Sequence, residues 1–317
     1  MRTGLESQSD RCGQGGAEPT VDWQRLDAAV PALDAATLAH VRAIAARGAE
    51  HGRKRRAFGL VGDSMTVSGA FLRPFSASHR GPVELSAEVE RRLAISRPTE
   101  PLRTIVDYYR GAEAQRVRGL WTDSFGAPRA AKVGARSPWA LVGEAQNQSP
   151  LAIMVDGLSP AVVVAVYGGN DAAYRVADPE EIAATFEQDF GKVVDALELR
   201  GVVPIVSTIA RHGLASGLAT CSDDPATLSN WRLAVQTNAV NAAVVRLACR
   251  RHLPLVDLRH ALDGAPNYGL GPDGVHPSAY AEGAGVLTAR GLQCGYNISN
   301  YVTLRMLKRV HDALAAG

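Results

Sequence analysis

The chain has 317 residues, of which 46% are hydrophobic and 21% are charged, and its formal net charge is +2. This length and hydrophobic content are sufficient for one large buried core. The near-neutral charge gives no reason to expect nucleic acid or an anionic membrane as a partner. No apolar run reaches the roughly 18 residues that a membrane-spanning helix needs. The oligomeric state is left open by these data.

The N-terminal part of the chain differs in composition from the rest. Residues 1–20 are polar and rich in glycine, which predicts a disordered segment. They contain no apolar stretch typical of a signal peptide, so we expect a cytoplasmic protein by default, or a secreted or lipid-anchored one if the N-terminus is incomplete. Residues 21–54 show helical periodicity, with Asp34 as a predicted N-cap, and indicate an N-terminal helical extension.

The four cysteines do not form a metal-binding motif. They are Cys12, Cys221, Cys249 and Cys294, and none belongs to a C-x-x-C pair. We interpret them as buried or free thiols, with one disulfide among the last three as an alternative. Cys12, which precedes a glycine-rich stretch, is also faintly similar to the first residue of a mature lipoprotein.

From residue 55 onward, short apolar runs alternate with longer helical patterns. This alternation predicts a three-layer α/β/α domain over residues 55–317, with a parallel sheet of about five strands. The predicted strands cover residues 57–61, 130–133, 161–167, 202–207 and 253–258. The predicted helices cover residues 86–95, 179–199, 228–251, 279–289 and 300–315.

Three of the predicted strands lead into polar motifs. The first strand runs into Gly-Asp-Ser, which ends at Ser64, and the strand over residues 161–167 runs into Gly-Gly-Asn-Asp, which contains Asn170. Beyond the last strand lies Asp-Gly-Val-His-Pro, with Asp273 and His276. In parallel sheets, ligand sites form where the carboxyl ends of the strands meet. We therefore expect these motifs to share one site.

The residue types in these motifs suit nucleophilic catalysis. A serine hydroxyl needs a base, and the base needs an acidic partner that fixes its tautomer. Ser64 is the predicted nucleophile, His276 the base and Asp273 its partner, since three residues of separation in a turn allow their side chains to meet. The oxyanion of the reaction needs preorganised N–H donors. Asn170 and the Ser64 backbone N–H are two candidates.

The third donor is predicted to come from a glycine near the strand over residues 130–133. Gly134 follows this strand, and a backbone N–H that approaches the substrate closely is best supplied by a residue without a side chain. Gly126, in a Ser-Phe-Gly-Ala sequence, is the alternative.

The set of motifs resembles the SGNH, or GDSL-type, hydrolase family. The resemblance covers roughly residues 57–292 and implies a flavodoxin-like sheet, a Ser-His-Asp triad and a three-donor oxyanion hole. Met65 stands where the family usually has Leu, and the motif that supplies the oxyanion-hole glycine is poorly preserved. We interpret residues 66–129 as an insertion, and the stretch from Cys294 onward as an appended C-terminal helix.

The sequence therefore predicts a serine esterase that acts on a lipid, carbohydrate or small-alcohol ester, without a metal or another cofactor. An acyltransferase with the same triad is the main alternative. An inactive binding module is less favoured, because Ser64, Asn170 and His276 are all retained. A metallophosphoesterase is also less favoured, because an early Asp-x-His motif is absent. Arg211 and His212 follow a predicted strand and are candidate substrate-binding residues.

Overall fold

The computed structural model describes residues 12–13, 16–95, 104–111, 115–117, 120–146, 148–212 and 225–316. Within these ranges the strands are β1 (Lys54–Gly62), β2 (Glu84–Leu85), β3 (Gln115–Val117), β4 (Leu120–Thr122), β5 (Ala130–Ala131), β6 (Pro160–Val166), β7 (Val203–Ser207), β8 (Leu255–Val256) and β9 (Val286–Leu287). Five of them form one sheet in the order β5-β1-β6-β7-β8, and every neighbouring pair in it is parallel. The predicted five-stranded α/β architecture is confirmed.

Several helices begin where the sequence supplies N-cap residues. Asp34, as predicted, accepts the Thr37 N–H at 2.7 Å, and Ser149 and Asp178 cap later helices in the same way. The α-helices are α1 (Trp23–Ala28), α2 (Ala35–Glu50), α3 (Ser64–Val67), α4 (Ala87–Leu93), α5 (Ile105–Arg110), α6 (Pro150–Leu158), α7 (Gly169–Ala173), α8 (Pro179–Leu199), α9 (Pro225–Arg251), α10 (Leu258–Leu262) and α11 (Gly295–Ala315). Short 3₁₀ helices cover Arg73–Phe75, Ser137–Leu141, Glu144–Gln146, Pro266–Gly269 and Gly291–Gln293.

The central sheet separates two apolar layers. Successive side chains of a strand point to opposite faces, so Val162 and Val164 of β6 pack with α11 and the N-terminal helices, whereas Val163 and Ala165 pack with α8 and α9. Complete burial of one such valine contributes about 1.5–3 kcal/mol. This two-sided burial explains why the β6 sequence is continuously apolar rather than alternating.

The register of the central strands aligns their carboxyl ends. Gly62, the last residue of β1, pairs with Val166 of β6 on one side and with Ala131 of β5 on the other. The segments that follow these three strands therefore leave the sheet at the same edge. They carry Ser64, Asn170 and Gly134 respectively.

The predicted N-terminal extension and the predicted insertion both contain regular secondary structure. Helices α1 and α2 lie within residues 21–54, and Leu26, Val41 and Ile44 are buried in the same core as the sheet. The predicted insertion over residues 66–129 contains α4, α5 and the β3–β4 hairpin. The division of the chain at residues 20, 54 and 129 stays a prediction, and residues 1–11 lie outside the described ranges. Among the described residues, we find no helix with the length and apolar character needed to cross a bilayer.

The helix predicted over residues 279–289 is wrong. This segment forms a turn and then β9, which pairs in parallel with β2. Its backbone is bound by the buried Asn297 of α11, whose amide nitrogen donates to the carbonyls of Gly283 at 3.0 Å and Val286 at 2.8 Å. The Asn297 side-chain oxygen accepts the Tyr280 N–H at 3.1 Å. A tertiary contact thus supplies the hydrogen bonds that a helix would otherwise provide.

The structure also corrects the interpretation of the cysteines. Cys12 and Cys294 form a disulfide across 282 residues of sequence, rather than two of the last three cysteines pairing with each other. Because the N-terminal segment lies against the loop before α11, Cys12 reaches that loop, and its sulfur is bonded instead of being free for lipid attachment. Cys249 is a free, exposed thiol, and Cys221 lies outside the described residues.

We expect Cys12→Ser to lower the stability of the protein, because the disulfide restricts the unfolded chain. The loss is expected to be about 2 kcal/mol or more in the free energy of unfolding, measured by denaturant titration. Cys249→Ser, which removes the exposed thiol, is the matched control and is expected to unfold like the wild type. A reductant that leaves the wild-type Tm unchanged would contradict this prediction.

Candidate active site

Ser64 lies at the junction between the first strand and a short helix. β1 ends at Gly62, and Asp63 caps α3 by accepting the Met65 N–H on its carboxylate at 3.1 Å. Ser64 is the first residue of α3, so its own N–H has no partner within the helix. The cap therefore presents both the Ser64 hydroxyl and its backbone N–H at the edge of the sheet.

The side chains of Ser64, His276 and Asp273 form a continuous hydrogen-bonded chain. The His276 Nε2 lies 2.8 Å from the Ser64 Oγ, across 212 residues of sequence. The His276 Nδ1 lies 2.6 Å from the Asp273 Oδ2. The structure therefore brings together the three side chains that the sequence predicts to act together.

A single turn positions both Asp273 and His276. The second carboxylate oxygen of Asp273 accepts the backbone N–H groups of Val275 at 3.0 Å and His276 at 2.9 Å. Partial burial would raise the pKa of the Asp273 carboxyl. The hydrogen bonds to these N–H groups and to the His276 ring outweigh that effect and keep the pKa below its usual value. Asp273 is therefore ionised at neutral pH, which favours the tautomer with its proton on the His276 Nδ1.

Asn170 lies in the first turn of α7, directly after β6. Its side-chain nitrogen donates a hydrogen bond to the Asp63 Oδ2 at 3.3 Å. A side-chain amide has two N–H groups, so this bond orients the amide and leaves one donor for another acceptor. Asp63, the residue before Ser64, is thus linked to the asparagine that follows the neighbouring strand.

Gly134 lies in a turn at the same edge of the sheet as Ser64. The Lys132 N–H donates to the Gly62 carbonyl at 3.1 Å, and the Ala135 N–H closes the turn on the Lys132 carbonyl at 3.1 Å. Gly134 has a φ of +74°, a conformation that glycine adopts without strain. Among the described residues, none accepts a hydrogen bond from the Gly134 N–H.

Gly126 lies at a different level of the sheet. It belongs to a turn four residues before β5, and the neighbouring Ser124 hydroxyl accepts the Phe58 N–H at 2.9 Å. Phe58 lies in the middle of β1, six residues before Ser64. At about 3.3 Å per residue, this separation favours Gly134 over Gly126 as a neighbour of Ser64.

Two buried carboxylates belong to the site although the sequence analysis assigned them no role. Asp171 accepts the Ser137 hydroxyl at 2.9 Å and the Ser137 N–H at 3.1 Å, which joins the segment after β6 to the segment after β5. Burial raises the pKa of Asp63 and that of Asp171 to about 6, and the charge of Asp171 adds to the effect on Asp63. Their positions next to Ser64 and Asn170 in the motifs were the available signal.

The two candidate substrate-binding residues have different surroundings. His212 is 3% exposed, and its ring packs on Gly169, where a Cβ would lie 2.8 Å from the His212 Cε1. Arg211 is half-buried, forms an ion pair with Asp263 at 2.7 Å and lies over the Tyr268 ring at 4.5 Å. His212 is therefore adjacent to the Asn170 segment, whereas Arg211 is held by the loop that precedes the Asp273 turn.

The protonation of His212 is set by its environment. Burial is the main cause that lowers the pKa of His212 to about 4. The nearby His276 also lowers this pKa, whereas the negative charge of Asp273 raises it. The His212 Nε2 is buried without a hydrogen-bond partner among the described residues. His212 is therefore neutral at neutral pH. In the described part of the chain, we find no group of three or more His, Cys, Asp or Glu side chains that could bind a metal ion.

Comparisons with known proteins place this geometry in a family. The profile of the GDSL-like Lipase/Acylhydrolase family matches residues 60–282. Similar solved structures include a lipase/acylhydrolase from Enterococcus faecalis, with 18% identity, a TM-score of 0.45, and coverage of 80% of this chain and 96% of that one. They also include an acetylxylan esterase from Geobacillus stearothermophilus, with 18% identity, a TM-score of 0.42, and coverage of 79% and 93%. Among curated proteins, no match is found.

The matched region contains the residues of the candidate site described above. It begins within β1, extends beyond the Asp273–His276 turn, and includes the end of β1 and the other four strands of the central sheet. It thus covers most of the chain. The chain therefore belongs to the GDSL-like Lipase/Acylhydrolase family and is a hydrolase that acts on ester bonds.

Proposed function

We propose that this hydrolase is a serine esterase that cleaves carboxylic esters through an acyl-enzyme on Ser64. The observation that carries the proposal is the position of His276, with one ring nitrogen 2.8 Å from the Ser64 Oγ and the other 2.6 Å from the Asp273 Oδ2. Both distances are within the range for direct proton transfer. The ester substrate is an acyl ester of a lipid, a carbohydrate or a small alcohol.

In the first half of the reaction, the Ser64 oxygen attacks the ester carbonyl while its proton moves to the His276 Nε2. The ionised Asp273 stabilises the resulting imidazolium through the Nδ1 hydrogen bond. Collapse of the tetrahedral intermediate breaks the bond to the alcohol oxygen, which takes the proton from His276. The alcohol leaves, and the acyl group stays on Ser64.

In the second half, water replaces the alcohol. His276 takes a proton from the water as its oxygen attacks the acyl carbon, and returns the proton to the Ser64 oxygen when the acid leaves. An acceptor alcohol in place of water would give acyl transfer with the same residues. Measuring transesterified product with added glycerol or sugar distinguishes these two outcomes.

The negative charge of each tetrahedral intermediate requires fixed donors. We assign this role to the Ser64 N–H, the Gly134 N–H and the Asn170 side-chain amide. The two backbone donors lack acceptors among the described residues, and Asn170 has one N–H that Asp63 does not use. All three lie on segments that leave adjacent strands of the sheet, so little reorganisation is needed during the reaction.

His212 is proposed to contribute to substrate binding as a neutral side chain. A second cation beside His276 would oppose formation of the imidazolium, since like charges disfavour each other's charged form. The low pKa of His212, about 4, avoids this conflict at neutral pH. Arg211 is the second proposed substrate-binding residue, and its ion pair with Asp263 restricts its position.

Ser64→Ala tests the nucleophile. We expect turnover of a 4-nitrophenyl ester to fall by about four orders of magnitude or more, because the covalent route is lost. A fluorophosphonate probe is expected to label the wild type at Ser64 and to leave the variant unlabelled. Ser78→Ala, at an exposed serine, is the control and is expected to retain labelling. Labelling that persists in Ser64→Ala would show that the nucleophile is another residue.

Asn170→Ala tests the oxyanion hole. Loss of one donor typically lowers kcat by about a hundred- to a thousandfold, or roughly 2.7–4 kcal/mol. We expect a decrease in this range with little change in KM. Asn170→Asp keeps the shape but cannot donate when ionised, so it is expected to be at least as impaired. An increase in KM with an unchanged kcat would instead assign Asn170 to ground-state binding.

His212→Gln tests the protonation of the buried imidazole. Because the pKa of His212 is lowered in the fold, the unfolded state binds more protons, and stability is lost as pH falls from about 6.5 towards about 4. We expect the variant to lose less stability than the wild type over this interval in denaturant titrations. The raised pKa values of Asp63 and Asp171 act in the opposite direction, so the difference between the two proteins isolates His212.

The control for this measurement is His79→Gln, at an exposed histidine. We expect its stability to follow the wild-type pH dependence. A parallel curve for His212→Gln would mean that this imidazole takes up protons equally in the folded and unfolded states.

A further inference from the structure

A cavity of about 270 Å³ is lined by residues that lie close in the chain to two of the proposed oxyanion donors. Arg136, on one wall, follows Gly134 by two residues, and Asp171, on another, directly follows Asn170. Two walls of the cavity are thus continuous with two proposed oxyanion donors.

The Arg136 side chain is held in the cavity by an aromatic ring. Its guanidinium lies 3.6 Å from the centroid of the Tyr174 ring, and this ring is 61% exposed. Stacking of this kind fixes the plane of the guanidinium and leaves the N–H groups along its edge free to donate. In the described ranges, no side chain forms an ion pair or a hydrogen bond with Arg136.

The other charged groups of the cavity have contact partners. Arg175 pairs with Glu181 at 2.5 Å, and Asp189 pairs with Lys192 at 3.0 Å. The Asp171 carboxylate, which would repel an anion, accepts the hydroxyl and the N–H of Ser137. Within the described residues, Arg136 is therefore the one charged side chain of the cavity without an ion pair or a side-chain hydrogen bond, although its charge also acts on the nearby Asp171 carboxylate and lowers the pKa of that group.

The remaining wall of the cavity is apolar. It is formed by Ile182 and Phe186 of α8, which are 4% and 2% exposed. Such a wall suits the carbon atoms that connect an ester bond to a charged group. The combination of an apolar wall and few oriented polar groups is typical of small-molecule sites.

We propose that this cavity binds an anionic group of the ester substrate, a carboxylate or a phosphate, with Arg136 as its counter-ion. The planar guanidinium matches both groups, because two parallel N–H groups can bind two of their oxygens. The inference rests on the proposed esterase function of Ser64. It narrows the substrate class to esters that carry a negative charge near the scissile bond.

The experiment compares kcat/KM for matched pairs of esters. The 4-nitrophenyl monoester of succinic acid and its methyl ester differ by one carboxylate, and acetylated glycerol 3-phosphate and acetylated glycerol differ by one phosphate. We expect the wild type to prefer the charged ester of at least one pair by roughly ten- to a hundredfold. The pair that shows the preference identifies the anion.

Variants at two neighbouring arginines test the role of Arg136. We expect Arg136→Gln to reduce the charged-to-neutral ratio of kcat/KM to about one, and Arg136→Lys to retain part of the preference. Arg175→Gln removes the same charge from the same cavity and is expected to keep the wild-type ratio. An equal loss of preference in Arg175→Gln would indicate a general field effect and overturn the assignment.

Inhibition provides a readout that does not depend on the folding of the Arg136 variants. Inorganic phosphate or succinate is expected to compete with a neutral ester in the wild type and in Arg175→Gln. Hydrolysis of neutral esters by the wild type, with no charge preference and no competition by either anion, would overturn this inference and leave the esterase proposal intact. Hydrolysis that persists in Ser64→Ala would instead overturn the esterase proposal itself.

Discussion

The parallel pairing of β1 with β6 is the constraint on which the site depends. Its register sets Gly62 opposite Val166, so the chain leaves both strands at one level, and Asp63 and Asn170 come within hydrogen-bond distance. β6 is apolar and buried on both faces, so its hydrophobic pattern alone does not distinguish this register from one shifted by a residue. The polar contacts beyond the strand ends, such as that between Asp63 and Asn170, exist only in the observed register.

The polar edge contains an electrostatic conflict that the fold tolerates. Asp63 and Asp171 are buried near each other, and burial disfavours the ionised form of both. Each carboxylate nevertheless accepts hydrogen bonds that join neighbouring segments: Asp63 binds Asn170, and Asp171 binds Ser137. Such contacts are specific in direction, whereas apolar packing is not. We infer that the protein retains unfavourable charges here because they orient the loops of the site.

The sequence was sufficient to predict the features that depend on local chemistry. Continuous apolar runs identified β6 and β7, and the motifs at the strand ends identified Ser64, Asn170, Asp273 and His276 as neighbours. It was insufficient where a distant residue decides the outcome. The segment before α11 has a helical pattern, yet Asn297 binds its backbone in another conformation. The pairing of Cys12 with Cys294 also depends on tertiary proximity, which cysteine spacing alone does not contain.

The contacts of helix α11 connect the candidate site to a segment that is synthesised late. Through Asn297 and Asn300, it binds backbone groups around Tyr280, Ala284 and Ala70, and the Tyr296 N–H donates to the Ser278 carbonyl, two residues beyond His276. A ribosome synthesises β1 and Ser64 some 230 residues before this helix. During translation Ser64 is therefore present long before the turn that carries Asp273 and His276 has its final support. The backbone contacts that α11 makes next to this turn can therefore form only after that helix has been synthesised.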